Sequence, residues 1–127
     1  MNKPSPKSHI VSATETVKVL TRQATPGDHF RESCERRIIH TAQLMSVVID
    51  FGGGPWTEAD PFHSHPHEQT TYVAEGDILF VCEGLQPVRL TAGDLYAIPP
   101  DVPHSIQLLS KTARLVDSFN PIRNDFL

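Results

Sequence analysis

The sequence predicts an all-β fold in a single domain, a sandwich or barrel of short strands. Three observations carry this. The chain has 127 residues, enough for one hydrophobic core and too few for two comfortable ones. Its eleven prolines favour short strands and frequent turns over long helices. Short apolar runs recur at close spacing between turn residues, and no segment shows helical periodicity.

Taken in chain order, residues 1–13 read as a flexible N-terminal arm ahead of a folded domain over 14–127. Residues 17–20 form a short apolar patch predicted as a strand, and Thr25, Pro26, Gly27 and Asp28 as a turn. Residues 36–40 predict another strand. Residues 43–51 are the longest apolar segment, and their Val and Ile content argues strand over helix until Gly52, Gly53, Gly54 and Pro55 end it. Six more strands are predicted over 70–74, 78–82, 88–90, 95–98, 105–109 and 114–119. They are separated by turn signals at 75–77, 83–84, 92–94, 99–101 and 110–111. No repeat or low-complexity tract interrupts the pattern.

Charge and composition exclude several functions. Eleven basic against fifteen acidic residues give a net charge of −4, with no basic stripe to neutralise phosphates, so nucleic acid is not an expected partner. No apolar run approaches membrane-spanning length, so no membrane is expected either. The first twelve residues lack the apolar centre of a signal peptide, and the expected location is cytoplasmic. Cys34 and Cys82 are far apart, form no C-x-x-C motif and are read as reduced thiols.

The chemistry concentrates at His63, His65 and His67, three of the seven histidines within five residues. On a strand, positions i and i+2 face the same way, so His63 and His65 can aim two imidazoles at one point. Gln69 keeps that parity if Pro66 does not shift the register, whereas His67 follows a proline that can turn it out of line. A further ligand must come from elsewhere, and His104, which follows a turn and opens a strand, is the best candidate. Taken alone, the His63/His65 pair is as compatible with adventitious chelation as with a metal site.

These residues resemble the two motifs of the cupin superfamily. His63, His65, three residues, Gln69, six residues and Gly76 match the first. Gly93, five residues, Pro99, Asp101 in a glycine's place, two residues and His104 match the second. The resemblance covers roughly residues 60–119. It implies a double-stranded β-helix, or jelly-roll barrel, holding one divalent metal ion (Zn, Ni, Mn or Fe) on His63, His65, Gln69 and His104. Asp101 is a mild departure, because Asp tolerates unusual turn conformations. Gln69 stands where an acidic ligand is usual, and its carbonyl oxygen can still ligate. Three histidines and one glutamine are similar to the site of the pectin-degradation cupins, the KdgF group, which open 4,5-unsaturated uronates to linear ketones. That group also carries an Asp-x-Phe-x-Pro-x-Arg segment, matched here by Asp117, Phe119, Pro121 and Arg123.

Neutral ligands leave the ion's +2 charge uncompensated, which strengthens it as a Lewis acid and favours an anionic substrate. Asp117 shares a strand face with Leu115 and Phe119, so it is either an inward general acid or base, or an edge carboxylate bonded to backbone N–H. The resemblance favours the first. Arg123 would clamp a carboxylate or else be a solvated arginine. Phe119 would flank a sugar ring or pack the core, and Trp56 would cover the barrel mouth or anchor a loop. Tyr72 and Tyr96 are read as wall residues, and Glu68 as facing away from the metal. The expected activity is isomerase- or hydratase-like action on a small anionic sugar or keto-acid. A cupin dioxygenase using iron or nickel and a non-catalytic sugar- or metal-binding module are the alternatives. The expected assembly is a homodimer.

Overall fold

The computed structural model describes residues 16–127, so the arm expected over 1–13 lies outside the described residues. Nine strands occur among the described residues: β1 (Asp28–Arg31), β2 (Cys34–His40), β3 (Met45–Phe51), β4 (Glu68–Glu75), β5 (Asp77–Cys82), β6 (Val88–Thr91), β7 (Leu95–Ile98), β8 (His104–Leu108) and β9 (Ala113–Asn120). A 3-10 turn, Asn124–Phe126, follows β9. The strands pair antiparallel in two sheets, one of six in the order β1-β2-β3-β9-β4-β7 and one of three, β6-β5-β8. Non-consecutive neighbours such as β3-β9-β4 are the crossovers of a jelly roll, and the predicted all-β single-domain fold is what the chain adopts.

Alternation drives this arrangement. In β9, Ala113, Leu115, Asp117 and Phe119 are buried while the residues between them are not; in β4, Gln69, Thr71 and Val73 are buried and the residues beside them are not. β9 lies between β3 and β4, with Asp117 opposite Val47 on one side and Thr71 on the other. The inner faces form two apolar clusters. Phe51, Val73, Ile78, Leu108 and Leu115 anchor one, and Met45, Val47 and Phe119 the other. A cavity of about 180 Å³ opens between the sheets, walled by members of both clusters.

Two sequence expectations are corrected. Residues 17–20 are not a strand: Val17 and Val19 are 89% and 84% exposed and join no ladder. Apolar content without a pairing edge does not make a strand. The turn expected at 25–28 falls earlier, closed by the Thr25 N–H donating to the Arg22 carbonyl at 3.3 Å, and Asp28 already opens β1. β1 reads Asp-His-Phe-Arg and is exposed throughout, so it carries no hydrophobic alternation to detect.

Two turns carry the motif residues. Gly76, between β4 and β5, has φ +87, and an added Cβ would run into the Thr112 carbonyl oxygen and Ala113. Asp101, in the motif's glycine place, has φ 65, a conformation that Asp accepts more readily than most residues. Cys34 and Cys82 are both free, as expected.

Candidate metal centre

The histidines converge by a different route from the one expected. No continuous strand runs from residue 63 to 69. His63 makes an isolated bridge to His104, with reciprocal N–H to carbonyl bonds of 3.0 Å, and regular pairing resumes at Glu68. His65 lies in the intervening loop, where its carbonyl accepts the Asp101 N–H at 2.8 Å, tying the two sequence motifs together. His104 opens β8 in the small sheet and Gln69 sits on β4 in the large one. The result brings ring nitrogens of His63, His65 and His104 within 4.8 Å of one another, with His65 and His104 buried.

Hydrogen bonds decide which nitrogens face inward. His65 Nδ1 lies 2.8 Å from the His67 carbonyl and His104 Nδ1 lies 2.7 Å from the Val102 carbonyl. A carbonyl only accepts, so both Nδ1 atoms carry the proton and both Nε2 atoms present lone pairs to the interior. His104 Nε2 is buried with no hydrogen-bond partner. His65 Nε2 lies 3.0 Å from Gln69 Oε1. Two lone pairs at that distance repel unless a proton or a cation lies between them. Burial, and then the neighbouring His104 and His65, push His63 down to about 4; burial likewise lowers His104. Inward lone pairs, neutral imidazoles and an amide oxygen make a donor set that fits a divalent metal ion.

A chain of buried polar groups leads away from this cluster. The Gln69 Nε2–H group donates to Thr71 Oγ1 at 2.9 Å, and the Thr71 hydroxyl donates to Asp117 Oδ1 at 2.6 Å. Asp117 therefore faces inward, bonded to a hydroxyl rather than to backbone N–H. Burial pushes its carboxyl up to about 6, against the Thr71 bond, the Arg123 charge and the nearby Gln69 amide, which act to lower it. Thr71 was not singled out from the sequence. It shares the face of Gln69, but only the β4–β9 register sets it opposite Asp117.

The cavity is lined by His63, Gln69, His104, Asp117, Phe119 and Arg123, among others. Phe119 is 2% exposed and packs edge-on against His65, with ring centroids 5.6 Å apart. Arg123 is not free: its Nη2 and Nε lie 2.8 and 3.3 Å from the Asp125 carboxylate, and its guanidinium sits 4.0 Å over Phe126. Arg31 and Arg36 also reach the cavity wall, where Arg31 pairs with Asp60 at 2.8 Å. His67 contributes its backbone carbonyl to His65, and its ring centroid lies 5.8 Å from that of His65, but it is not one of the three histidines whose nitrogens converge. Glu68 is exposed, and Tyr96 reaches the cavity wall. Trp56 packs edge-on against Phe51, its backbone N–H donates to the Leu108 carbonyl and its carbonyl accepts from the Gln107 side-chain amide, which makes it a loop anchor.

The family profile described as the cupin domain matches residues 54–119. The chain is 33% identical over 104 residues to the pectin degradation protein KdgF of Dickeya dadantii, covering 81% of this chain and 92% of that protein. The solved structure of KdgF from Halomonas sp. superposes with a TM-score of 0.78 at 28% identity, covering 87% of this chain and all of that one. The chain is also similar to 3-hydroxyanthranilate 3,4-dioxygenase of Mus musculus, 39% identical over 83 residues, which cover 63% of this chain and 28% of that enzyme.

Proposed function

Because the chain belongs to the cupin superfamily, and within it to the KdgF-like group, we propose that it is a metal-dependent enzyme that opens a 4,5-unsaturated uronate monosaccharide to a linear keto-acid. The observation that carries this reading is Asp117, a buried carboxyl pushed up to about 6 on the same cavity wall as the three converging histidines. A carboxyl held near neutrality both keeps and releases a proton at working pH, as an isomerisation requires.

His63, His65, Gln69 and His104 would hold the metal ion, which supplies Lewis acidity toward substrate oxygens when bound. The overall change is an isomerisation. The anomeric hydroxyl loses a proton, the bond from C1 to the ring oxygen breaks, C4 gains a proton, and the C4–C5 enol becomes a C5 ketone. Asp117 is the residue that carries the proton to C4. Arg123 has N–H groups beyond those that Asp125 occupies, and these pair with the substrate carboxylate. Arg31 and Arg36 also reach the wall, each paired with a carboxylate, Asp60 at 2.8 Å and Asp28 at 3.3 Å. Phe119 offers a ring edge beneath the sugar. At about 180 Å³ the cavity is smaller than the roughly 300–1,000 Å³ sites of drug-sized ligands, which suits one monosaccharide.

The test is the loss of ultraviolet absorbance of an unsaturated galacturonate, followed with zinc- and nickel-loaded protein. Turnover in wild type, reduced about 10²- to 10⁴-fold in Asp117→Asn, is expected. No turnover with either metal would overturn the reading. The similarity to a dioxygenase favours a second reading, ring cleavage with oxygen on a redox metal. Oxygen uptake with an aromatic substrate would support it, and full uronate turnover by the zinc form would exclude it as the main activity.

A further inference from the structure

A neutral amide has two unlike ends, so a glutamine ligates a metal only when its oxygen faces the site. In this fold the choice is made two residues away. The Thr71 hydroxyl has one proton to donate. Asp117 Oδ1 accepts that proton at 2.6 Å, which leaves Thr71 Oγ1 as an acceptor toward Gln69. Gln69 must therefore present its NH2 group to Thr71, as it does at 2.9 Å, and its Oε1 turns toward His65. Thr71 is 1% exposed, so water does not substitute for it. The opposite orientation would set the NH2 group against the His65 Nε2 lone pair. That would satisfy the imidazole in the ion-free pocket and leave the amide nothing to ligate with.

We propose that Thr71 is a positioning residue that holds the Gln69 amide with its carbonyl oxygen in the metal site, keeping the centre in its four-ligand form. The inference rests on the metal-site reading above. The β4–β9 register makes it possible by setting Thr71 directly opposite Asp117, so that one hydroxyl bridges the carboxylate and the amide.

The experiment uses metal-free full-length protein titrated with cobalt(II), read by its visible spectrum and by competition with a chelator, in wild type, Thr71→Val and Thr71→Ser. Thr71→Val keeps the shape and removes the hydroxyl. It is expected to bind cobalt about 10- to 100-fold more weakly, with an altered spectrum, and Thr71→Ser is expected to restore both. The cycle is repeated in Gln69→Glu, whose two equivalent oxygens need no orienting. There the Thr71→Val loss should largely disappear. An equal loss in both backgrounds would reduce Thr71 to a packing role and overturn the proposal, as would unchanged cobalt affinity and spectrum in Thr71→Val. If Thr71→Val does not fold, Thr71→Ala is carried through the same cycle and judged by the same two outcomes. Failure of wild type to bind cobalt would instead overturn the metal-site reading itself.

Discussion

Asp117 holds a buried carboxyl on the cavity wall, and its raised pKa is a statement about stability as well as chemistry. Between the ordinary value of 3.8 and about 6, the folded protein keeps a proton that the unfolded chain has released. This group's contribution to stability therefore falls as pH rises through that window, by about 3 kcal/mol at most. His63 acts in the opposite sense. Its folded value is pushed down from 6.5 to about 4, so its contribution is lost as pH falls through the same range. The two windows overlap, and wild-type melts alone do not separate them. Asp117→Asn does. In metal-free protein it should be about 1–3 kcal/mol more stable than wild type at pH 8 by urea unfolding, with the gain gone by pH 4. Equal stability at pH 8 would mean that the Thr71 bond already offsets the burial.

At the scale of elements, the site depends on the register between β4 and β9. Gln69 faces Phe119 across the ladder and Thr71 faces Asp117. A slip of one residue would turn every one of these side chains to the outer face. The register is held by β3 flanking β9, by β7 flanking β4, and by the turn that ends β4. In that turn Gly76 combines φ +87 with backbone packed where a Cβ would stand. Gly76→Ala should therefore destabilise the fold by about 1–3 kcal/mol or more, read as a lower urea midpoint with little change in slope. A neutral effect would mean that the β4–β5 turn relaxes without disturbing the ladder.

Across the whole molecule, the candidate metal centre joins the two sheets. His104 and its bridged partner His63 belong with the small sheet, and Gln69 belongs to the large one. An ion held by all of them ties the two sheets together across the cavity that Phe51, Leu115 and Phe119 also wall. Binding to the folded state alone stabilises it by about 2.7 kcal/mol at a hundredfold excess over Kd, a rise in Tm on the order of 10 °C for a domain of this size. Calorimetry with zinc and then with chelator should show that rise and its reversal, and His104→Ala should abolish it. An unchanged Tm in wild type would mean that the folded state holds no ion.

Much of this was legible in the residues themselves. Strand periodicity and turn residues point to the all-β fold and to the shared face of Leu115, Asp117 and Phe119, because alternation and spacing are local properties of a chain, while the meeting of His63, His65 and His104 is what the resemblance to the two cupin motifs implies. The strand expected at 17–20 does not form, the turn expected at 25–28 falls earlier, and β1 carries no sequence signal, because pairing decides strand formation where burial supplies no pattern. Tertiary structure alone decided that His63 and His65 meet through a bridge to β8 rather than along one strand. It also decided that Thr71 stands between Gln69 and Asp117. Each of these depends on which strands lie side by side and in what register, and that is set by packing between residues far apart in the chain.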